Sequence, residues 1–329
     1  SKLIRCLMAA LEKKGVAIHY NTKAVSLVKD ECFNVEGVSC ITPEGRKDYL
    51  ARGGVILTTG GYGANEAMVD KYIGPWASRL IVRGSPWITG ENILMAEEVQ
   101  ALLVNMDQFY AGPITPTGHC NPSPLMHAGY GIQVNTKGKR FVPETWLQVP
   151  KAKAIAERTE DNRSFMLIGA DADKNAQILT NTIKRFARLG FEVIKADTIE
   201  EAAKKAGVPE KNLVETVREF NAAVKAGKAK ELDPPYDYDE PHALETGPFY
   251  MIPAAGGMAS TFGGPKINKD AQVVNFERRP IPGLYAAGAA AGGVWVYDDI
   301  GGNQLGGGMV FGRVAARHAA GRAASRKNA

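Results

Sequence analysis

Leu3, Ile4, Leu7, Met8 and Leu11 fall three and four residues apart, the spacing of one helical face, and Gly15 marks the end of that run. Shorter apolar runs follow. Residues 16–20, 24–28 and 34–41 predict strands, with Glu44-Gly45 as a turn between runs. Residues 54–59 predict a buried strand that leads into Gly60-Gly61-Tyr62-Gly63, and Asn65 is placed to cap a helix through Tyr72. From Pro75 to about Pro150 the rhythm breaks up: prolines and Trp76, Trp87 and Trp146 interrupt it, which predicts an irregular region of short strands. Residues 164–168 predict a buried strand and 173–189 an amphipathic helix. Asp197-Thr198 caps a helix over 199–206, and Asn212 caps another over 213–226. After Gly247 the glycine-rich style returns, with a strand over 283–288 and a closing helix over 305–324.

This is an α/β pattern. It predicts one domain formed by residues 1–74 and 247–329 and split by an inserted domain, 75–246. Composition agrees with two domains, because 329 residues exceed the length at which one core stops growing. A chain that is 45% hydrophobic and 23% charged is not disordered. Forty basic against 35 acidic residues give a net charge of +5, too balanced to argue for a nucleic-acid partner. Cys6, Cys32, Cys40 and Cys120 have no metal or CxxC spacing, and His119-Cys120 lacks further ligands, so free thiols and no metal are expected. No apolar run approaches a membrane span and no secretory signal opens the chain, which points to the cytoplasm.

Two segments carry candidate chemistry. Val55-Ile-Leu-Thr-Thr59-Gly60-Gly61 lets a ligand's phosphate or sugar approach backbone at the carboxyl end of a strand; an ordinary strand-to-helix turn is the alternative. Gly301-Gly302-Asn303-Gln304-Leu305-Gly306-Gly307-Gly308 opens the last helix. Its free N–H groups and partial positive charge suit a flat anionic ring, such as the N1–C2=O edge of a reduced flavin. A flexible loop before a packed helix is the alternative. The dinucleotide fingerprint GxGxxG is absent: Gly61-Tyr62-Gly63 comes nearest, but Glu66 stands where the third glycine belongs.

In this order the segments resemble the fumarate reductase/succinate dehydrogenase flavoprotein and 3-ketosteroid dehydrogenase superfamily of FAD-dependent oxidoreductases. Residues 51–64 match its A-x-x-V-I-L-T-T-G-G-x-x-x-N, Thr89-Gly90-Glu91-Asn92 with Met95-Ala96 its T-G-D-G-x-x-M-A, and Arg140-Phe141 with Glu144 its R-F-x-N-E. Residues 283–288 and Phe311-Gly312-Arg313 with Ala315 complete the set. The resemblance implies an incomplete FAD-binding Rossmann-like domain, 1–74 with 247–329, and an inserted α+β capping domain, 75–246. It implies FAD contacts from Thr22, Ala24, Val25, Thr59, Gly60, Gly61, Gly288, Ala289, Gly302, Asn303, Gln304 and Leu305. The family's pyrophosphate segment is not among these residues, so either the chain is a fragment or a second chain supplies it. Ala289 also stands where the family has an acid for an FAD hydroxyl.

The family's fumarate-binding positions fall on Gly112, His127, Gln148, Ser260 and Asp299. A dianion desolvated without cationic partners is costly, so fumarate is not the expected substrate. The ketosteroid dehydrogenase pattern Tyr-x-x-x-Gly is kept as Tyr297 and Gly301, whose O–H and N–H would polarise a substrate ketone; simple packing of Tyr297 beside the flavin is the alternative. Tyr110 and His127 would line the cap side of the site, or be structural. Tyr250 and Trp295 would form an apolar wall, or be core. The expected activity is hydride transfer between flavin N5 and a carbon next to a carbonyl, on a small, apolar, carbonyl-bearing substrate, with a reductase of an unsaturated acid as the alternative within the enzyme class. The alternative is a non-catalytic cap-bearing subunit that needs a partner chain to bind FAD.

Overall fold

The computed structural model describes residues 2–117, 131–170, 177–296 and 303–326. In chain order the first elements are α1 (Lys2–Lys13), β1 (Lys23–Lys29), β2 (Val35–Thr42), β3 (Gly45–Leu50), β4 (Val55–Leu57), α2 (Glu66–Tyr72) and β5 (Ile81–Val82). Then come α3 (Glu91–Glu97), β6 (Leu103–Val104), β7 (Phe109–Ile114), β8 (Gly131–Asn135), α4 (Gln148–Arg158) and β9 (Ser164–Ile168). They are followed by α5 (Gln177–Leu189), β10 (Ile194–Ala196), α6 (Ile199–Ala206), α7 (Glu210–Lys225) and β11 (Phe249–Thr261). The chain closes with β12 (Gly264–Pro265), β13 (Gln272–Val274), β14 (Pro280–Ala286) and α8 (Asn303–Ser325).

Local chemistry accounts for most element ends. Asn65 Oδ1 accepts from Met68 N at 3.1 Å and starts α2. Thr198 Oγ1 accepts from Glu201 N at 3.1 Å, while Glu201 Oε2 accepts from Asp197 N at 2.8 Å, a reciprocal cap for α6. Gly207, at φ +67°, ends that helix in the left-handed region.

Four expectations are corrected. Residues 16–20 form no strand: Val16 N bonds back to Leu11 O, and Tyr20 is 71% exposed with no neighbouring strand to pair among the described residues. The run 54–59 is a strand only over Val55–Leu57, and Thr58 and Thr59 lie exposed beyond it. Helix α7 starts at Glu210 behind Pro209, whose fixed φ suits a helix entry; Asn212 instead donates from Nδ2 to Lys137 O at 2.9 Å. The irregular stretch holds a helix, α3, and a second helix, α4, starts at its end and runs on to Arg158. Of the helix expected over 173–189, the first residues lie outside those described.

Strands β1, β2 and β3 form an antiparallel meander. A second sheet has the order β13-β14-β4, with β14 and β4 parallel (Leu284↔Val55, Ala286↔Leu57). Among the described residues the other edge of β4 is unpaired. The third sheet is organised by the 13 residues of β11, bordered by β10 and β9 along its first half and by β7 and β5 along its second. A strand that follows Gly247 thus shares a sheet with strands from the middle block.

Leu27, Val35, Leu57, Met95, Val273 and Leu284 form one core under the meander and the parallel pair. Ile132, Leu167, Ile199, Leu213, Phe220 and Met251 form another around β8–β11. Tyr62, Ile93, Phe109, Ala111, Ala152 and Met258 pack into a third cluster, in which the glycine turn after β4 meets β7, β11 and α4. Helix α1 has no buried residue and leaves Leu3, Ile4 and Leu7 exposed. Helix α8 exposes Leu305, Met309 and Val310, and Ala315 is its buried residue among those described.

Candidate functional site

The parallel strands β4 and β14 end side by side, and Ala287 N donates to Leu57 O at 3.1 Å just beyond them. This is the crevice outside strand carboxyl ends where open α/β sheets bind ligands. Thr59 and Gly60 form one lip and the turn Gly288–Ala290 the other. Gly60 has φ +82°, and a side chain there would come within 2.8 Å of Ile88 Cγ2. Gly61 lies directly against the Thr261 hydroxyl, which accepts from Tyr62 N at 3.1 Å. Tyr62 is fully buried and donates its hydroxyl to Met106 O; burial, with Asp107 nearby, raises its pKa.

The opposite lip carries a space that fits a flat ring. Gly288 is left-handed at φ +67°, and a Cβ there would find only Gly308 Cα, at 3.8 Å. A Cβ at Gly306 would meet nothing within 4 Å. Side chains at 288 and 306 would fill what the glycines leave open, beside the first turn of the 23-residue α8. That turn offers N–H donors and a partial positive charge, the donor set an electron-rich ring edge requires. Trp295 backs the turn: a Cβ at Gly307 would fall 2.9 Å from its indole Cζ2.

The first residues of β1 join the same edge. Lys23 pairs with Glu91 at 3.1 Å, and fully buried Asn92 donates to Ala290 O at 3.0 Å. The Thr89-Gly90-Glu91-Asn92 segment thereby ties the half-buried Thr22, Ala24 and Val25 to the Gly288–Ala290 turn.

A polar corner lies on the side of β7, β11 and α4. Gln304 Nε2 donates to Ser260 Oγ at 2.7 Å. Ser260 pairs across the sheet with Tyr110, whose hydroxyl donates to Gln148 Oε1 at 3.3 Å. Gly257 pairs with Gly112 two positions further along β7. A bulge between Met258 and Ser260 shifts the alternation by one residue, so Ser260 and Gly257 share a face with Tyr110 and Gly112. Arg83, just after β5, is fixed by its backbone N donating to Met258 O at 2.8 Å, and its side chain lies over Gly257 toward Gly112.

The structure thus brings together Tyr110, Trp295, Thr59, Gly60, Gly61, Gly288, Ala289, Gln304 and the start of β1. Leu305 stands on the same turn but points out, 65% exposed. Asn303 begins α8. Tyr250 is not brought there: it pairs with Ile168 near the opposite end of β11, ten residues from Ser260, and packs with Phe186 and Ile252. At about 3.3 Å per residue that is roughly 30 Å. Its place in a satellite core explains the difference, since an aromatic on a central strand packs equally well at either end. Tyr297, Gly301, Gly302, His127, Asp299 and Cys120 lie outside the described residues. Among the described residues no His, Cys, Asp and Glu cluster could hold a metal, and no helix is long and apolar enough to cross a membrane.

Sequence reasoning missed Arg83 and Lys151. An isolated arginine among glycine and proline carries no periodic signal, and Lys151 sits in a helix that was not expected. Lys151 is 1% exposed, and burial pushes its pKa down to about 8 against the opposing pull of Glu144. The Arg140 and Glu144 pair is structural. It is bidentate, at 2.9 and 2.5 Å and almost fully buried, and Arg140 also donates to Pro234 O at 2.8 Å.

A family model described as FAD binding domain matches residues 1–305. A cytochrome-linked fumarate reductase of Shewanella frigidimarina is 30% identical over 309 residues, covering 94% of this chain and 52% of that protein. An open conformation of a flavocytochrome c3 fumarate reductase superposes with a TM-score of 0.82 at 29% identity, over 97% of this chain and 55% of that one. A 3-ketosteroid delta1-dehydrogenase from Sterolibacterium denitrificans does so with a TM-score of 0.72 at 26% identity, over 96% and 62%. The chain therefore spans between half and two thirds of the length of these relatives. From the family match, the fold and the glycine-lined crevice together, the chain belongs to the FAD binding domain family, with FAD as its cofactor.

Proposed function

We propose that this chain is the FAD-holding part of an oxidoreductase acting on a C–C single or double bond next to a carbonyl. One observation supports it most: the polar corner of Gln304, Ser260, Tyr110 and Gln148 opens where the first turn of α8 meets the glycine lips of the crevice. Bound FAD would supply hydride transfer at N5. The N–H groups of α8, with Gln304 held in place by Ser260, would carry negative charge at the ring's carbonyl edge. Residues 75–246 with β11 would act as the cap that keeps water from the substrate. Tyr297 and Gly301 would polarise the substrate carbonyl.

The unpaired edge of β4 and the exposed face of α1 support a second element of the reading. A further parallel strand, from a longer protein or a partner chain, would pair with β4 and hold the FAD pyrophosphate. The direct test is the visible spectrum of the purified protein, followed by anaerobic reduction and turnover of unsaturated acids and ketones with an artificial electron donor. Flavin bands with turnover support the reading. A colourless protein that FAD does not reconstitute defeats it and favours a non-catalytic cap-bearing subunit.

A further inference from the structure

We propose that Arg83 forms an anion subsite at the cap-side mouth of the crevice and holds a carboxylate of the substrate; its functional meaning rests on the reading of the crevice as the active site. Arg83 Nη1 is buried and has no hydrogen-bond partner among the described residues. No ion pair or side-chain hydrogen bond of Arg83 occurs among them either. A guanidinium nitrogen taken out of water without an acceptor is costly, so such a group calls for a ligand.

The surroundings are shaped to present it. A Cβ at Gly257 would lie 3.1 Å from Arg83 Cδ, and a Cβ at Gly112 would lie 3.7 Å from Arg83 Nη1. The two glycines face one another across β7 and β11, so their bare backbones form a trough along which the side chain crosses the strand. The same Gly112 Cβ position is 2.8 Å from Gln148 Oε1, which places a neutral amide and the Tyr110 hydroxyl beside the guanidinium. At the other end of the Arg83 loop, Ile88 rests against Gly60 and Gly63, so the loop spans from crevice lip to polar corner. Gly257 and Ser260 face Gly112 and Tyr110, which are two residues apart on β7, so they lie about 7 Å apart along the sheet.

A planar fork whose Nη1 has no acceptor among the described residues, beside the neutral Gln148 amide and Tyr110 hydroxyl, suits a carboxylate. A ketone oxygen would accept from Nη1 but leave the guanidinium charge without a counter-charge, which a carboxylate supplies. Arg83 is the one such cation at this corner among the described residues, and it balances one carboxylate better than two, since a second desolvated charge would go uncompensated there. The chemical class is therefore a monocarboxylate with unsaturation next to the acid.

The test is isothermal titration calorimetry of the full protein supplied with FAD. The probes are crotonate against crotonamide, cinnamate against cinnamamide, and fumarate. The expected result is at least one acid bound tenfold or more tightly than its amide and no less tightly than fumarate. Arg83→Gln should abolish that preference by weakening the acid tenfold or more while moving the amide less than twofold, and Arg83→Lys should restore part of it. Equal affinity within both pairs, no measurable binding of either acid at millimolar concentration, or an unchanged acid affinity in R83Q overturns the subsite. The spectrum of the same sample separates the two readings. Acid preference in a colourless protein keeps the subsite and removes the flavin role, and a yellow protein without it does the reverse.

Discussion

Gln304, on the first turn of the closing helix, donates from Nε2 to Ser260 Oγ at 2.7 Å, and so joins the helix start to the second half of β11. Because β11 also pairs with β9 and β10, this one hydrogen bond links the crevice to the sheet beneath the cap. Ser260→Ala should leave the Gln304 amide without that anchor. One neutral hydrogen bond is worth about 1 kcal/mol, so FAD retention should weaken roughly fivefold. The flavin-to-protein absorbance ratio after dialysis measures it; an unchanged ratio would show that the bond orients nothing.

Arg140 and Glu144 should behave differently, as structural members. Glu144 also accepts from Gln133 N at 3.0 Å, and Arg140 lies over the rings of Phe220 and Tyr236. Glu144→Gln leaves a buried guanidinium uncompensated, at a cost of roughly 3–5 kcal/mol. Urea unfolding should shift accordingly. A variant as stable as the parent contradicts the assignment.

Lys151 predicts a pH dependence of stability. Its folded pKa of about 8 lies below the 10.5 of the exposed side chain. Below pH 8 both states are protonated and the burial penalty is fully present. Between pH 8 and 10.5 the unfolded chain binds the extra proton, so stability rises with pH by on the order of 2–3 kcal/mol from this group. Lys151→Met should flatten that rise in thermal melts taken across the window. A melt series with the same slope in both proteins argues against the buried charge.

Tyr297→Phe removes one donor from the pair expected to polarise the substrate carbonyl. Turnover should drop about a hundredfold or more with flavin content intact. Unchanged kcat would take Tyr297 out of the mechanism and leave it as packing.

Much of the crevice was legible along the chain because its chemistry is local. The Asn65 cap, the Gly60-Gly61 lip and the Gly288 turn, like the Thr198 cap elsewhere in the fold, each depend on a few adjacent residues, so residue type and spacing suffice. The strand expected over 16–20 failed for the opposite reason: a strand exists only where another strand pairs with it, and none does there among the described residues. Tyr250 and Ser260 lie on one strand, yet only Ser260 reaches the crevice, because the four strands bordering β11 decide what each stretch of it faces.

By itself the sequence determined the α/β alternation, the flavoprotein resemblance and the glycine-lined lips, since these follow from short-range pattern and from backbone freedom at single positions. Only the tertiary structure decided that a bulge turns Ser260 onto the face of Gly257, and that Arg83 crosses bare glycine backbone to leave Nη1 without a hydrogen-bond partner among the described residues, beside Gly112. Both depend on strand register and on contacts between residues far apart in the chain. An isolated arginine's charge has no meaning for function until the fold sets which groups surround it and which of them leave it unsatisfied.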